Sequence, residues 1–181
     1  MSEELSVLKT VVERLEKSKI AYMITGSVAA NFYTLPRMTR DIDIVIEVEL
    51  KNIDELFGLF KKDFYVERDA IAQAIRERGM FNVIHNKSVM KVDFVIRKDA
   101  PYRTLEFKRR RRIKVGNKAL WIVSPEDLVL SKMAWAKDSL SEVQLKDVKS
   151  LLESVKDIDT VYIQRWVKSL GLEKIYEKLK S

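Results

Sequence analysis

A chain of 181 residues, 46% of them hydrophobic, can bury one substantial core and has neither a disordered nor a fibrous composition. No apolar run approaches the roughly 18 residues needed to cross a bilayer, and Met1 to Lys19 is a charged amphipathic pattern rather than a secretory leader, so a cytoplasmic protein without membrane association is expected. Cysteine is absent, which excludes disulfides, thiolate metal sites and cysteine nucleophiles; Lys and Arg exceed Asp and Glu by 34 to 27, much of the excess falling in Lys108 to Arg112.

In chain order, Glu4 to Lys17 places Leu5, Leu8, Val11, Val12 and Leu15 at helical spacing and predicts an amphipathic helix. Ile20 to Thr25 is a short β-type run stopped by a Gly26-Ser27 turn, after which Val28 to Tyr33 suits a helix that Pro36 ends. Asp41 to Val48 alternates and predicts a strand. Asn52 to Lys62, with Ile53, Leu56, Phe57 and Phe60 on one face, predicts another helix, Phe64 to Glu67 a brief strand, and Asp69 to Arg78 a helix closed by Gly79. Met80 to His85 and Ser88 to Arg97 form a hairpin about Asn86-Lys87, and Arg112 to Val123 a second about Gly116-Asn117. Ser124-Pro125-Glu126-Asp127 is a helix start, with Ser as cap, Pro in the first turn and acids favoured by the helix dipole. Helices follow over 125–137, 141–155, 159–169 and 171–180. The chain thus divides into an α/β region, 1–123, and a helical region, 124–181, packed on it.

The chemistry concentrates in three acids. In a strand side chains alternate, so Asp41 and Asp43 share one face, roughly 7 Å apart along the strand, while Ile42 and Ile44 turn to the core. Asp93, flanked by Val92 and Phe94, either faces solvent or joins them from an adjacent strand. Neighbouring carboxylates repel by up to about 4 kcal/mol at contact distance and an effective dielectric near 20, which a divalent cation relieves. Separated from Asp41 by thirteen residues, Gly26 and Ser27 form a small-residue turn suited to close approach of phosphate.

This order, Gly26-Ser27, Arg37-x-Thr39-x-Asp41-x-Asp43 and a later strand Asp93, resembles the nucleotidyltransferase superfamily related to DNA polymerase β. The small prokaryotic members that include toxins of abortive-infection and toxin-antitoxin systems are the most similar, and Ser124-Pro125-Glu126-Asp127-Leu128, Lys132 and Lys146-Asp147 resemble their helical half. The resemblance implies an α/β (α+β) nucleotidyltransferase fold with a mixed sheet flanked by helices, followed by a C-terminal helical segment. It implies two Mg²⁺ ions held by Asp41, Asp43 and Asp93, and transfer of a nucleoside monophosphate from a nucleoside triphosphate such as ATP to a hydroxyl of RNA, protein or a small molecule. Gly26, Ser27, Arg37, Thr39 and Lys132 would bind nucleotide, and an antitoxin protein would be a possible partner.

Other readings stay open at this stage. Ser27 also suits a helix cap, Arg37 and Thr39 serve phosphates or Arg37 pairs with an acid, Arg40 favouring the latter, and Lys132 is either a nucleotide contact or a solvated helix residue. Asp147 reads as an ion-pair partner. Lys108 to Arg112 is either the charged guard of an edge strand or a nucleic-acid contact. Trp121, Trp135 and Trp166 read as core or helix-interface anchors. An inactive nucleotide- or RNA-binding module and a metal-dependent phosphodiesterase are the rival functions, and the short chain favours an acceptor that brings its own binding surface.

Overall fold

The computed structural model describes residues 3–39, 41–139 and 141–180. Seven strands among these form one mixed sheet: β1 (Ala21–Thr25), β2 (Asp41–Glu47), β3 (Phe64–Tyr65), β4 (Met80–His85), β5 (Lys91–Ile96), β6 (Arg111–Val115) and β7 (Lys118–Ile122), in the spatial order β3-β4-β5-β2-β1-β7-β6. Pairs β2/β5 and β1/β7 are parallel and the others antiparallel. Helices α1 (Glu3–Lys17), α2 (Gly26–Tyr33), α3 (Ile53–Phe60), α4 (Arg68–Glu77) and α5 (Pro101–Lys108) are interleaved with the strands. Four more, α6 (Pro125–Ser139), α7 (Glu142–Ser154), α8 (Thr160–Ser169) and α9 (Glu173–Lys180), close the chain. The α/β fold with a mixed sheet and a helical tail is the architecture that the sequence predicts.

The central register follows from burial. Ile42, Ile44 and Ile46 of β2, with Val92, Phe94 and Ile96 of β5, are fully buried on one face, where Phe94 meets Phe60 of α3 at 5.3 Å between ring centroids. Each such side chain contributes about 1.5–3 kcal/mol. A slip of one residue would exchange these six for Asp41, Asp43, Val45, Lys91, Asp93 and Val95, four of them charged, so the pairing has one tolerable register. That register places Asp43 opposite Asp93 and Asp41 opposite Lys91.

Several local expectations are corrected. Gly26 and Ser27 are the first residues of α2, not a turn before it. Helix α4 is closed by Arg78, not Gly79: Arg78 takes the left-handed conformation, φ 51°, with its guanidinium held 2.9 Å from Asp99. The first hairpin's turn extends to Val89, also left-handed, so β5 begins at Lys91. Helix α5 escaped the sequence reading although Pro101 stands in its first turn.

Part of the basic run pairs within the chain. β6 is an edge strand, but Arg109 pairs with buried Asp127 at 3.1 Å and covers the Tyr162 ring at 3.9 Å, and Arg111 reaches buried Glu126 at 3.1 Å. Arg110 and Arg112 lie over the Trp121 ring. These contacts pin the start of α6, where Ser124 accepts the Asp127 amide and donates to its carboxylate. Of the three tryptophans, Trp166 packs on Tyr102 as an interface anchor, whereas Trp135 is 62% exposed.

Candidate active site

The three acids converge. Asp43 and Asp93 are direct partners on adjacent parallel strands, which lie about 4.8 Å apart, and Asp41 follows on the same face of β2. Asp93 is 6% exposed and its Oδ1 is buried without a hydrogen-bond partner. An orphaned carboxylate oxygen in such a place costs free energy unless something positive approaches it. Lys91 supplies part of that charge: its Nζ lies 2.9 Å from Asp93 Oδ2 and 3.6 Å from Asp41 Oδ1. Its position two residues before Asp93 on one strand face was a legible signal.

Gly26 closes the site from above. It has φ +65°, and a Cβ added there would stand 1.9 Å from Asp43 Oδ2. Glycine is therefore required twice, by the left-handed backbone and by the carboxylate beneath it. The amino terminus of α2 is thereby pressed against Asp43, and no side chain caps its first turn.

The remaining candidates form a second layer. Ser27 is not the helix cap, since Thr25 holds that position; its hydroxyl accepts from Arg37 Nη2 at 2.7 Å. Arg37 grips Asp147 with Nε and Nη2, at 3.0 and 2.8 Å. Lys132 is 3% exposed and donates to Asp147 at 2.7 Å and to Gln144 at 3.0 Å. Arg37 thus finds its acid on α7, and Asp147 is the interhelix partner that its sequence context suggests. Thr39 bonds the backbone oxygen of Asp41 at 3.3 Å, and Arg40 lies outside the described residues.

Burial first, then the charges of Asp93 and Asp41, push the Asp43 carboxyl from 3.8 up to about 6, with Lys132 and Lys91 opposing. The folded state then holds this proton to higher pH than the unfolded chain, so the stability of the cation-free protein falls as pH rises between 3.8 and about 6. The loss from this group is at most ~3 kcal/mol. A cation competes with the proton for the same oxygens, so Mn²⁺ affinity measured by calorimetry is expected to weaken below pH about 6, with a proton released from the protein as the cation binds. An affinity unchanged from pH about 5 to about 7 would remove Asp43 from the ligand set.

The donor set suits a hard cation. Among the described residues no three acids or histidines form a ready-made ligand set, because Asp41 and Asp93 turn toward Lys91. Mg²⁺ needs no complete cage, since it is commonly bound through one or two carboxylates, waters and substrate phosphates. Beside the acids lies a cleft of about 470 Å³, floored by Thr25, Val45 and Val95 and walled by Arg103, Glu106 and Trp135. Val45 and Val95 are the next residues after Asp43 and Asp93 on the same sheet face.

No protein-family model and no curated protein matches the sequence. Solved structures do match the fold. An antigenic nucleotidyltransferase-like protein from Paracoccidioides brasiliensis superimposes with a TM-score of 0.64 at 17% identity, over 99% of this chain and 93% of that one. A lincosamide antibiotic adenylyltransferase with lincomycin bound gives 0.58 at 13% identity, over 86% and 99%. The complex of ANT(2'')-Ia with adenylyl-2''-tobramycin gives 0.62 at 11% identity, over 97% and 99%.

Proposed function

We propose, from the premise that this chain has the nucleotidyltransferase fold, that it is a divalent-cation-dependent enzyme transferring a nucleoside monophosphate from a triphosphate to a hydroxyl. The observation that carries the reading is the strand register that aligns Asp43 with Asp93 beneath Gly26. Asp41, Asp43 and Asp93 would hold two Mg²⁺ ions, which when bound lower the pKa of the acceptor hydroxyl and offset charge on the departing pyrophosphate. The amides that open α2 bind the triphosphate tail, and Gly26 lets that tail come close. Arg37 and Lys132 act one layer back: through Asp147, Arg37 fixes the Ser27 hydroxyl, and buried Lys132 biases Asp43 toward its ionised form. In the transfer the acceptor oxygen bonds the α-phosphorus, the bond to the bridging oxygen breaks, and pyrophosphate leaves. Asp93 would complete the acceptor-side metal or take the acceptor's proton.

The cleft changes the expected acceptor. A volume of about 470 Å³ falls within the range of small-molecule sites, and its Val45 and Val95 follow Asp43 and Asp93 on the same strand face. The chain therefore does not need an acceptor that brings its own surface, and a small hydroxylated compound with one flat or apolar face, laid against Trp135, fits best. Two of the structural neighbours are, by name or by bound product, adenylyltransferases of antibiotics, which makes the adenylyl group the first donor to test. Incubation with Mg²⁺ and each α-labelled triphosphate in a cell extract is expected to label a low-molecular-weight compound and release pyrophosphate. Label in RNA or protein would reassign the acceptor. Tight triphosphate binding without label anywhere would make the chain an inactive binding module.

A further inference from the structure

Lys91 stands where a divalent cation would have to enter. Its backbone is the register partner of Asp41, its ammonium spans Asp41 and Asp93, and its side chain is still 37% exposed, so the head group is anchored below and free above. A cation approaching this face meets a positive charge already in contact with two of its three acids. An ammonium on a four-carbon stem moves readily by several ångströms, and the nearest new anion would be a polyphosphate laid on the amino terminus of α2.

We propose that Lys91 is an internal counter-cation that holds Asp41 and Asp93 until a triphosphate draws it away, so that divalent cation and nucleotide bind together rather than independently. This rests on the reading of the site as a cation-dependent transferase site. Without nucleotide, the cation must displace the lysine or tolerate its repulsion, and its affinity is low. With nucleotide, Lys91 pairs with phosphate oxygens, Asp41 and Asp93 open to the cation, and the lysine adds to the clamp on the triphosphate. The orphaned Asp93 Oδ1 fits this arrangement, because a single ammonium leaves one oxygen of the pair unsatisfied.

The test is calorimetric titration of Mn²⁺ into the full chain and its Lys91→Met and Lys91→Arg variants, with and without a non-hydrolysable triphosphate. Lys91→Met is expected to bind Mn²⁺ about tenfold more tightly than the parent in the absence of nucleotide, because a nearby positive charge is gone. Its affinity gain on adding nucleotide is expected to shrink by the same factor, while Lys91→Arg keeps the parent's behaviour. Melting curves give an independent reading: without cation Lys91→Met melts below the parent, and Mn²⁺ raises its midpoint by more. Equal Mn²⁺ affinity of parent and Lys91→Met overturns the lysine proposal alone. Absence of Mn²⁺ binding in every protein, with or without nucleotide, overturns the cation-dependent reading as well.

Discussion

Asp43→Asn is expected to slow nucleotidyl transfer by about a thousandfold or more, equivalent to losing ~4 kcal/mol of transition-state stabilisation, while the fold persists. The neutral amide keeps the shape of the side chain beneath Gly26 but withdraws a ligand and a charge. Without divalent cation the variant should melt above the parent near neutral pH, because the charge that burial and the neighbouring acids disfavour is gone. A coupled pyrophosphate assay and a melting curve on the same sample separate the two effects. Adding Asp41→Asn should abolish transfer altogether, again with an intact circular dichroism spectrum. A double variant that retains full activity would end the cation model, and loss of fold in Asp43→Asn would show the acid to be a structural support.

Gly26→Ala has the second large effect, and it acts on stability and activity together. The left-handed backbone, φ +65°, costs a non-glycine residue about 1–2 kcal/mol. The new methyl would also lie 1.9 Å from Asp43 Oδ2, so either the carboxylate or the first turn of α2 must move. A total near 3 kcal/mol corresponds to a fall of about 6–12 °C in melting temperature for a chain of this size. Transfer should fall at least about a hundredfold, since the amino terminus of α2 and Asp43 are displaced together. Gly58→Ala is the control, because nothing lies within 4 Å of a Cβ at that position. In an Asp43→Ala background the penalty of Gly26→Ala should shrink, as the carboxylate contact is removed and only the Cβ, at 2.9 Å, remains. A penalty of unchanged size would place the strain in the backbone alone.

What was legible in the sequence divides along physical lines. Period-two alternation exposed Asp41, Asp43 and Asp93, and it fixes their common face because the intervening Ile and Val residues carry the burial energy. The helical tail was readable from the cap and acids at Ser124 to Asp127. Lys91 was within reach of the same alternation but passed unnoticed, since a lysine on a strand usually reads as solvent-facing. The contacts of Arg37, Lys132 and Asp147 were not available to any local rule: Arg37 and Asp147 are 110 residues apart, and only tertiary packing joins them. Trp135 misled because a large aromatic on a helix is most often buried, and here it borders the cleft. The tight fit of Gly26 over Asp43 depends on β1 and β2 pairing Thr25 with Asp43, which no spacing along the chain reveals.

The run of contacts from Lys132 through Asp147 and Arg37 to Ser27 has a bearing on how such a chain can change over generations. The carboxyl-terminal helices hold one end of an ionic chain whose other end lies beside Gly26 and the acids. A chimaera that exchanged everything after Val123 for the corresponding stretch of a relative would inherit an unmatched arginine there unless an acid came with it. Recombination at Val123 is thereby penalised, and the segments before and after it should drift as a pair.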